Sequence, residues 1–227
     1  MDLLSFIFPK KCISCRQFGS YLCSDCFARL DMHVTLICAV CGRQAVSGIT
    51  HPICRGRYDI DGVFASLVYK GVAKRLIYQF KFEPYLTDLR HIVADLFYEG
   101  LIQQEAFFRI ALDKAVLVPV PLHSQRERNR GYNQAEILAV DLGKRLGVPV
   151  KDILTRVKPT TSQVGKTQKE RRENIKGVFQ LRGTVDAKTV LLVDDVLTSG
   201  ATLNEAAKTL KKAGVKSVWG LALAHGT

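Results

Sequence analysis

Several common signatures are missing from this sequence of 227 residues. It contains neither the full Gly-x-x-x-x-Gly-Lys-Ser/Thr pattern of a Walker loop nor the Gly-x-Gly-x-x-Gly pattern of a dinucleotide-binding fold, which argues against both classes. No apolar run approaches the length needed to span a membrane, and the first residues are too few and too acidic for a signal peptide. We therefore predict a cytoplasmic protein without membrane insertion.

Cysteine is absent from most of the chain, since all seven cysteines lie within the first 54 residues. An odd number of cysteines in an intracellular chain argues against a disulfide framework. The uneven distribution instead predicts two domains that are stabilised in different ways. We place a cysteine-rich domain at residues 1–59 and a larger domain at residues 60–227.

Two Cys-x-x-Cys pairs, Cys12 with Cys15 and Cys23 with Cys26, are separated by seven residues. Four thiolates in a tetrahedral array bind zinc well, and a module too small to bury a hydrophobic core needs the metal to fold. A redox-active Cys-x-x-Cys is the alternative, but that motif is expected once, at the start of a helix, and not in tandem. We therefore predict a structural zinc site and interpret residues 1–59 as a zinc ribbon.

A second set of candidate ligands is less regular. Cys38 and Cys41 form a third Cys-x-x-Cys pair, but Cys54 is followed three residues later by Arg57, which cannot bind zinc. Because His51 precedes Cys54 by three residues, these two can supply the other half of a second structural zinc site. The alternative is a site that has been lost, with Cys54 as a free thiol and His51 as a solvated loop residue.

The strongest chemical signal lies between residues 190 and 202. An aliphatic run at residues 190–193 predicts a central parallel strand, and Asp194 and Asp195 follow it directly. The next residues can direct backbone N–H groups and hydroxyls at a phosphate monoester: Thr198, Ser199, Gly200, Ala201 and Thr202. Two adjacent carboxylates repel each other, so they need hydroxyl donors, such as those of a ribose, or a magnesium ion. The stretch predicts a sugar-phosphate site, followed by a helix from about residue 202.

A second strand is predicted at residues 115–122, where Pro119 and Pro121 should end the sheet ladder in an irregular loop. We expect Val120, Pro121 and Leu122 to contact the ligand because they follow a buried strand. The loop then carries three arginines that suit phosphate groups, with solvated arginines as the alternative: Arg126, Arg128 and Arg130. Strands alternate with amphipathic helices from residue 60 onwards, which predicts an α/β fold with a mostly parallel, Rossmann-like sheet.

The segment from residue 156 to residue 179 is polar, strongly basic and without apolar periodicity. We expect a long loop that acts as a mobile flap, with Arg156 among the ligand-binding residues. A nucleic-acid-facing arm and a solvated tether are the two alternatives. The formal net charge of +12 also favours anionic partners, although many basic enzymes never contact DNA.

The motif at residues 191–202 resembles the 5-phosphoribosyl-1-pyrophosphate (PRPP) motif of type I phosphoribosyltransferases. Together with the cysteine pairs, the 119–134 segment and the block around Thr160, Gln163, Arg172 and Asn174, it resembles the ComF family of competence proteins across essentially the whole chain. The resemblance implies a type I phosphoribosyltransferase fold behind a double zinc ribbon, PRPP and magnesium as ligands, and a role in DNA uptake during natural transformation. Arg57 departs from this family, which commonly has a cysteine there.

On this interpretation the chain transfers a ribosyl phosphate from PRPP to an acceptor, and Asp194 or Asp195 stabilises an oxocarbenium-like transition state. Arginines after residue 120, together with Arg156, neutralise the departing pyrophosphate. The alternatives are a PRPP sensor without catalysis, a module that binds single-stranded DNA and acts with a ComFA-like helicase, and a scaffold whose zinc module docks other proteins.

Overall fold

The computed structural model describes residues 10–82, 87–110, 112–159 and 167–226. Its α-helices are α1 (Ser24–Phe27), α2 (Gly71–Phe82), α3 (Thr87–Ile102), α4 (Ser124–Arg130), α5 (Gln134–Leu146), α6 (Gln168–Ile175) and α7 (Ala201–Lys212). Its β-strands are β1 (Gly62–Val68), β2 (Ala115–Pro119), β3 (Leu154–Arg156), β4 (Phe179–Leu181), β5 (Thr189–Leu197) and β6 (Ser217–His225). Within these ranges, no helix combines the length and the apolar character needed to cross a membrane.

A four-stranded parallel sheet in the order β1-β6-β5-β2 forms the centre of the fold. The first five residues of β5 are all buried, as the aliphatic run at residues 190–193 predicts for a central strand. Side chains alternate between the two faces of the sheet: Phe64 of β1 packs with α2, α3 and α5, together with Leu191 and Val193 of β5, whereas Val63 and Ala65 of β1 pack with α7. The predicted α/β class with a parallel sheet is confirmed.

The register brings the carboxyl ends of β2 and β5 together. Pro119 of β2 lies opposite Val193 of β5, and the N–H of Val120 donates to the Val193 carbonyl (2.9 Å). Asp194 therefore follows the point where β2 ends, while β5 continues beside β6 to Leu197. This is the edge of the sheet at which α/β folds bind ligands.

The arginines that we expected in an irregular loop lie on a helix instead. Helix α4 begins after His123, whose side chain accepts a hydrogen bond from the N–H of Gln125 (3.4 Å), and ends at Gly131. The loop prediction was wrong because no α4 side chain is buried, so no apolar periodicity marks the helix in the sequence.

The polar segment after Arg156 is only partly a loop. Strands β3 and β4 pair antiparallel, with Arg156 opposite Phe179, and residues 168–175 form α6. A capping box starts this helix: the Thr167 hydroxyl accepts from the N–H of Glu170 (3.3 Å), and the Glu170 carboxylate accepts from the N–H of Thr167 (2.7 Å). The prediction of a continuous loop was wrong here, whereas Thr160 and Gln163 lie outside the described residues.

The cysteine-rich segment packs against the sheet domain. Ile37 and Ala39 belong to the same buried cluster as the apolar face of α7. At the entry to β1, the Asp61 carboxylate accepts from Lys211 (2.9 Å) and from the N–H of Val218 (2.7 Å). A domain boundary between residues 59 and 60 stays a prediction.

Both edge strands of the sheet are partly covered by other segments. Ile49 of the cysteine-rich segment forms an antiparallel bridge with Gly62 at the start of β1. On the opposite edge, Val150 forms a parallel bridge with Leu117 of β2. These bridges occupy backbone groups that an edge strand otherwise exposes.

Candidate functional site

A cleft of about 620 Å³ opens at the carboxyl ends of β2 and β5. Its lining residues are Tyr69, Lys81, Phe82, Val120, Pro121, Leu122, Arg126, Arg130, Asn133, Gln134, Ala135, Arg156, Asp194, Asp195, Val196, Thr198 and Thr202. Most of the residues that the sequence predicts for the ligand site are among them. The exceptions are Arg128, Ser199, Gly200 and Ala201.

Asp194 and Asp195 form the acidic floor of the cleft. The Asp194 carboxylate accepts a hydrogen bond from the N–H of Asp195 (2.8 Å). The Asp195 carboxylate accepts one from the Lys81 ammonium (2.9 Å), and the side chains of this ion pair are only 14% (Asp195) and 21% (Lys81) exposed. Burial, together with the negative charge of Asp195, raises the pKa of Asp194 to about 7. The charges of Lys81 and Arg156 lower the pKa of Asp194 but offset only part of this increase. A ligand that supplies hydroxyl donors or a cation would therefore stabilise the ionised carboxylate.

Arg126, Arg130 and Arg156 form a basic wall of the cleft. Arg126 and Arg130 are four residues apart on α4 and therefore share one face of the helix, whereas Arg128 is exposed away from the cleft. Burial lowers the pKa of Arg156, and the charge of Arg126 adds to this effect, while Asp194 acts in the opposite direction. Cations held this close to one another suit a ligand with several negative charges.

Asn133 and Gln134 supply neutral donors at the start of α5. Asn133 caps the helix, since its side chain accepts from the N–H of Ala135 (3.1 Å) and donates to the Val120 carbonyl (3.1 Å). The Oε1 atom of Gln134 accepts from Arg130 (2.5 Å). Its buried Nε2 atom has no hydrogen-bond partner within the part of the chain that the structure describes, so it can donate to an oxygen of a ligand.

The turn after β5 contains residues that face the cleft and residues that shape the backbone. Thr198 and Thr202 line the cleft, whereas Ser199, Gly200 and Ala201 are buried behind it. Gly200 has a left-handed φ of 74° directly before α7, a conformation that residues with a Cβ atom rarely adopt. The turn therefore presents two hydroxyls beside the amino-terminal end of a twelve-residue helix, which is a favourable place for a phosphate.

The sequence did not identify Lys81 or Phe82 as site residues. Both end helix α2, and Lys81 precedes Asp195 by 114 positions, so only tertiary packing brings them to the cleft. The Arg130 guanidinium lies over the Phe82 ring, 5.6 Å from its centre. Asn133 had a usable signal, because an asparagine just before a predicted helix is a typical N-cap.

The first cysteine cluster has the geometry of a zinc site. The sulfur atoms of Cys12, Cys15, Cys23 and Cys26 lie within 4.8 Å of one another. Burial raises the pKa of Cys26 to about 12. At Cys12, backbone N–H groups outweigh the effect of burial and lower the pKa to about 6. Four thiols at this spacing cannot all ionise unless a cation neutralises them, and the donor set fits tetrahedral zinc.

The second cluster brings together Cys38, Cys41, His51 and Cys54, whose ligand atoms also lie within 4.8 Å of one another. The His51 Nδ1 atom is 3.4 Å from the Cys41 sulfur, and its Nε2 atom is 3.0 Å from the Gln44 carbonyl. Donation from Nε2–H to this carbonyl leaves Nδ1 as the metal-binding atom, which is a common arrangement around zinc-bound histidines. His51 therefore completes a four-ligand set that needs no contribution from position 57.

Known proteins resemble this chain over both parts of its fold. The phosphoribosyl transferase domain family matches residues 132–225, and the double zinc ribbon domain family matches residues 3–56. The chain is 34% identical to competence protein F of Haemophilus influenzae, over 96% of this chain and 98% of that protein. It is 28% identical to competence protein ComFC of Bacillus subtilis, over 85% of this chain and 79% of that protein. It is 29% identical to DNA utilization protein YhgH of Salmonella typhimurium, over 87% of each.

The two domain matches agree with the positions of the clusters and the cleft. Both cysteine clusters lie inside the double zinc ribbon match, and the acidic pair with its turn lies inside the phosphoribosyl transferase match. The similarity to competence protein F extends over almost the full length of both proteins. The chain therefore belongs to the ComF family of competence proteins, with a phosphoribosyltransferase-type domain behind a double zinc ribbon.

Proposed function

We propose that the cleft binds PRPP, with the 5-phosphate on the turn at residues 198–202, the ribose hydroxyls on Asp194 and Asp195, and the pyrophosphate against the arginines. The observation that carries this proposal is the acidic pair next to the turn, in a cleft that also has a basic wall. A purely cationic cleft suits any polyanion. Carboxylates beside a phosphate site instead favour a phosphate ester that also carries hydroxyl groups.

The same residues fit a magnesium ion that arrives with PRPP. Magnesium in proteins is usually held by one or two carboxylates together with substrate phosphates and water. The raised pKa of Asp194 is consistent with this fit, because burial and the charge of Asp195 disfavour the ionised carboxylate, and a bound cation would favour it. When bound, magnesium would neutralise part of the charge on the pyrophosphate.

We propose that bound PRPP reacts at its anomeric carbon. The bond to the pyrophosphate oxygen breaks with its electron pair leaving on pyrophosphate, the acceptor forms the new bond to the anomeric carbon, and a proton leaves the acceptor for water. Positive charge develops on the ribose ring, and Asp194 or Asp195 stabilises it. Arg126, Arg130 and Arg156 stabilise the departing pyrophosphate. The corresponding activity is pentosyl transfer from PRPP.

The names of the relatives refer to competence and to DNA, since two are competence proteins and one is a DNA utilization protein. We propose that this chain acts in DNA uptake during natural transformation, beside a ComFA-like helicase. A non-catalytic PRPP sensor would use the same cleft and would differ in releasing no pyrophosphate.

A second candidate function, direct binding of single-stranded DNA, is favoured by an exposed aromatic and basic surface at the mouth of the cleft. The rings of Tyr78 and Phe82 have centres 4.7 Å apart and are 61% and 56% exposed. Arg130 lies over the Phe82 ring. Exposed aromatic faces next to cations are typical of surfaces on which unpaired bases stack.

Calorimetric titration with PRPP and magnesium tests the first proposal. The wild-type protein should bind, and the double variant Asp194→Asn/Asp195→Asn should lose most of its affinity because the hydroxyls and the cation lose their charged acceptors. Asp186→Asn removes an exposed carboxylate outside the cleft and should bind like the wild type. Unchanged affinity in the double variant would contradict the assignment. Pyrophosphate release with candidate acceptors then separates a transferase from a sensor.

Gel-shift titrations of single-stranded DNA test the second candidate. Affinity should fall with salt, with a log–log slope of about −0.7 for each neutralised phosphate. If the DNA reaches the cleft, PRPP should compete with it, whereas DNA bound only on the outer surface should be unaffected. The absence of any shift at low salt would assign DNA to a partner protein.

A further inference from the structure

The second cluster, formed by Cys38, Cys41, His51 and Cys54, lies directly behind the turn at residues 198–202, which we call the phosphate turn. Ala39, between the ligands Cys38 and Cys41, is only 1% exposed and packs against Gly200 of the turn. A Cβ atom added to Gly200 would lie 2.5 Å from both the Cα and the Cβ atoms of Ala39, and 2.9 Å from its carbonyl oxygen. The turn and the metal-binding loop are therefore in direct contact, with no space for another atom between them.

A buried histidine joins the same two segments at a second point. His225, at the end of β6, is 6% exposed, and its ring contacts the backbone of Thr35 before the metal-binding loop and of Thr198 at the start of the turn. Because His225 pairs with Leu197 of β5, the sheet fixes the backbone from which this ring projects. Two separate contacts thus hold the turn against the loop of the second cluster.

The first cluster packs against a different element and provides a matched comparison. Cys12 and Cys26 are buried together with Val72 near the start of α2. Arg75 of the same helix donates to the Ser14 carbonyl (2.8 Å). Loss of zinc from the first cluster should therefore loosen the ribbon against α2 without directly removing support from the phosphate turn.

We infer that zinc in the second cluster sets the conformation of the phosphate turn, with Ala39 as a positioning residue for PRPP. Four ligands around one ion hold the 38–41 loop rigid, and the Ala39 backbone then prevents the turn from moving back towards the ribbon. Without zinc, no bonds hold the four ligands of the loop together, so the loop is free to open and Gly200 loses its support. The inference rests on the proposed PRPP site and makes PRPP affinity depend on the second zinc and not on the first.

The variants Cys41→Ser and Cys15→Ser remove the same ligand position from the two clusters, and each should lose about one equivalent of zinc. In calorimetry, Cys41→Ser should bind PRPP with magnesium roughly 5- to 150-fold more weakly than wild type, the range of typical coupling between sites. Cys15→Ser should bind like wild type. Equal PRPP affinity in the two variants would overturn the inference.

Ala39→Val keeps all four ligands and adds volume towards Gly200. It should bind PRPP more weakly while its zinc content stays the same, because overpacking displaces the turn. Wild-type affinity in Ala39→Val would count against Ala39 as the positioning residue.

Reciprocity gives a measurement that a general loss of stability cannot mimic. If zinc strengthens PRPP binding, PRPP must strengthen zinc binding by the same factor. At equilibrium, saturating PRPP should therefore raise the concentration of a chromogenic chelator that is needed to remove one of the two zinc equivalents, and Cys41→Ser should lose this protected fraction. The same chelator concentration for half-removal of zinc with and without PRPP would refute the coupling.

Hydrogen exchange separates failure of this inference from failure of the proposed function. If the wild type does not bind PRPP, the proposed function is wrong, but the backbone of residues 198–202 still reports on its support. Without ligand, these amides should exchange faster in Cys41→Ser than in Cys15→Ser. Equal protection in both variants would overturn the inference, whatever the result with PRPP.

Discussion

Replacing Asp194 by asparagine should stabilise the free protein at neutral pH while weakening its affinity for PRPP. Burial and the charge of Asp195 raise the pKa of Asp194 from 3.8 to about 7. The folded protein therefore holds this proton more tightly than the unfolded chain, so the free energy of unfolding falls as the pH rises from about 4 to about 7. At 1.36 kcal/mol for each pKa unit, the full effect is about 4 kcal/mol. Because Asp194 lines an open cleft, water screens part of this electrostatic effect. We therefore expect ionisation of Asp194 to lower the free energy of unfolding by about 2 kcal/mol.

Thermal unfolding of wild type and Asp194→Asn at pH 4.5 and pH 8 tests this value. Asparagine can still accept from the N–H of Asp195 through Oδ1 but carries no charge, so the variant avoids the penalty of ionisation. It should melt about 4 to 8 °C higher than wild type at pH 8, and the difference should shrink towards zero at pH 4.5. Asp186→Asn, at an exposed site, should change neither value. A variant that is less stable than wild type at pH 8, or shifted equally at both pH values, would refute the reasoning.

Three further predictions follow from the clusters, the turn and the aromatic surface. Elemental analysis should find about two zinc equivalents in the wild type and about one in Cys15→Ser or Cys41→Ser. If either variant still holds two equivalents, the cluster that contains the replaced cysteine is not a zinc site. Gly200→Ala should lower the free energy of unfolding by about 2 kcal/mol more than Gly131→Ala. Both glycines have a left-handed φ, but only Gly200 faces a close neighbour. Equal losses of stability in urea titrations would contradict this prediction. Phe82→Ala should weaken single-stranded DNA binding by about 1 to 3 kcal/mol in gel shifts, and an unchanged affinity would exclude stacking on this ring.

The sequence was most informative where apolar patterning and local chemistry coincide. The aliphatic run before Asp194 predicts both the central strand and the position of the acidic pair, because parallel strands buried on both faces have few alternatives. Helices α2, α3 and α5 bury an apolar side, so their periodicity is visible in the sequence.

Features that depend on polar caps or on contacts between distant segments could not be predicted from local sequence patterns. Helix α4 has no buried side chain, and α6 is defined mainly by the capping box of Thr167 and Glu170. Lys81 pairs with Asp195 across 114 positions, a contact that no local pattern encodes. Gly200 was visible as part of a turn, but its contact with Ala39 follows only from the packing of the ribbon on the sheet.

The bridge between Ile49 and Gly62 bears on whether copies of the chain can pair through the edge of the sheet. An uncovered edge strand is a template for pairing with another molecule, and β1 is an apolar strand whose residues are almost all buried. In the full chain, the cysteine-rich segment shields the start of this edge from a second copy. A fragment that began at β1 would expose the edge and the apolar cluster around α7 together, so it should aggregate. On this reasoning, we expect the cysteine-rich segment to keep the domain that follows it soluble.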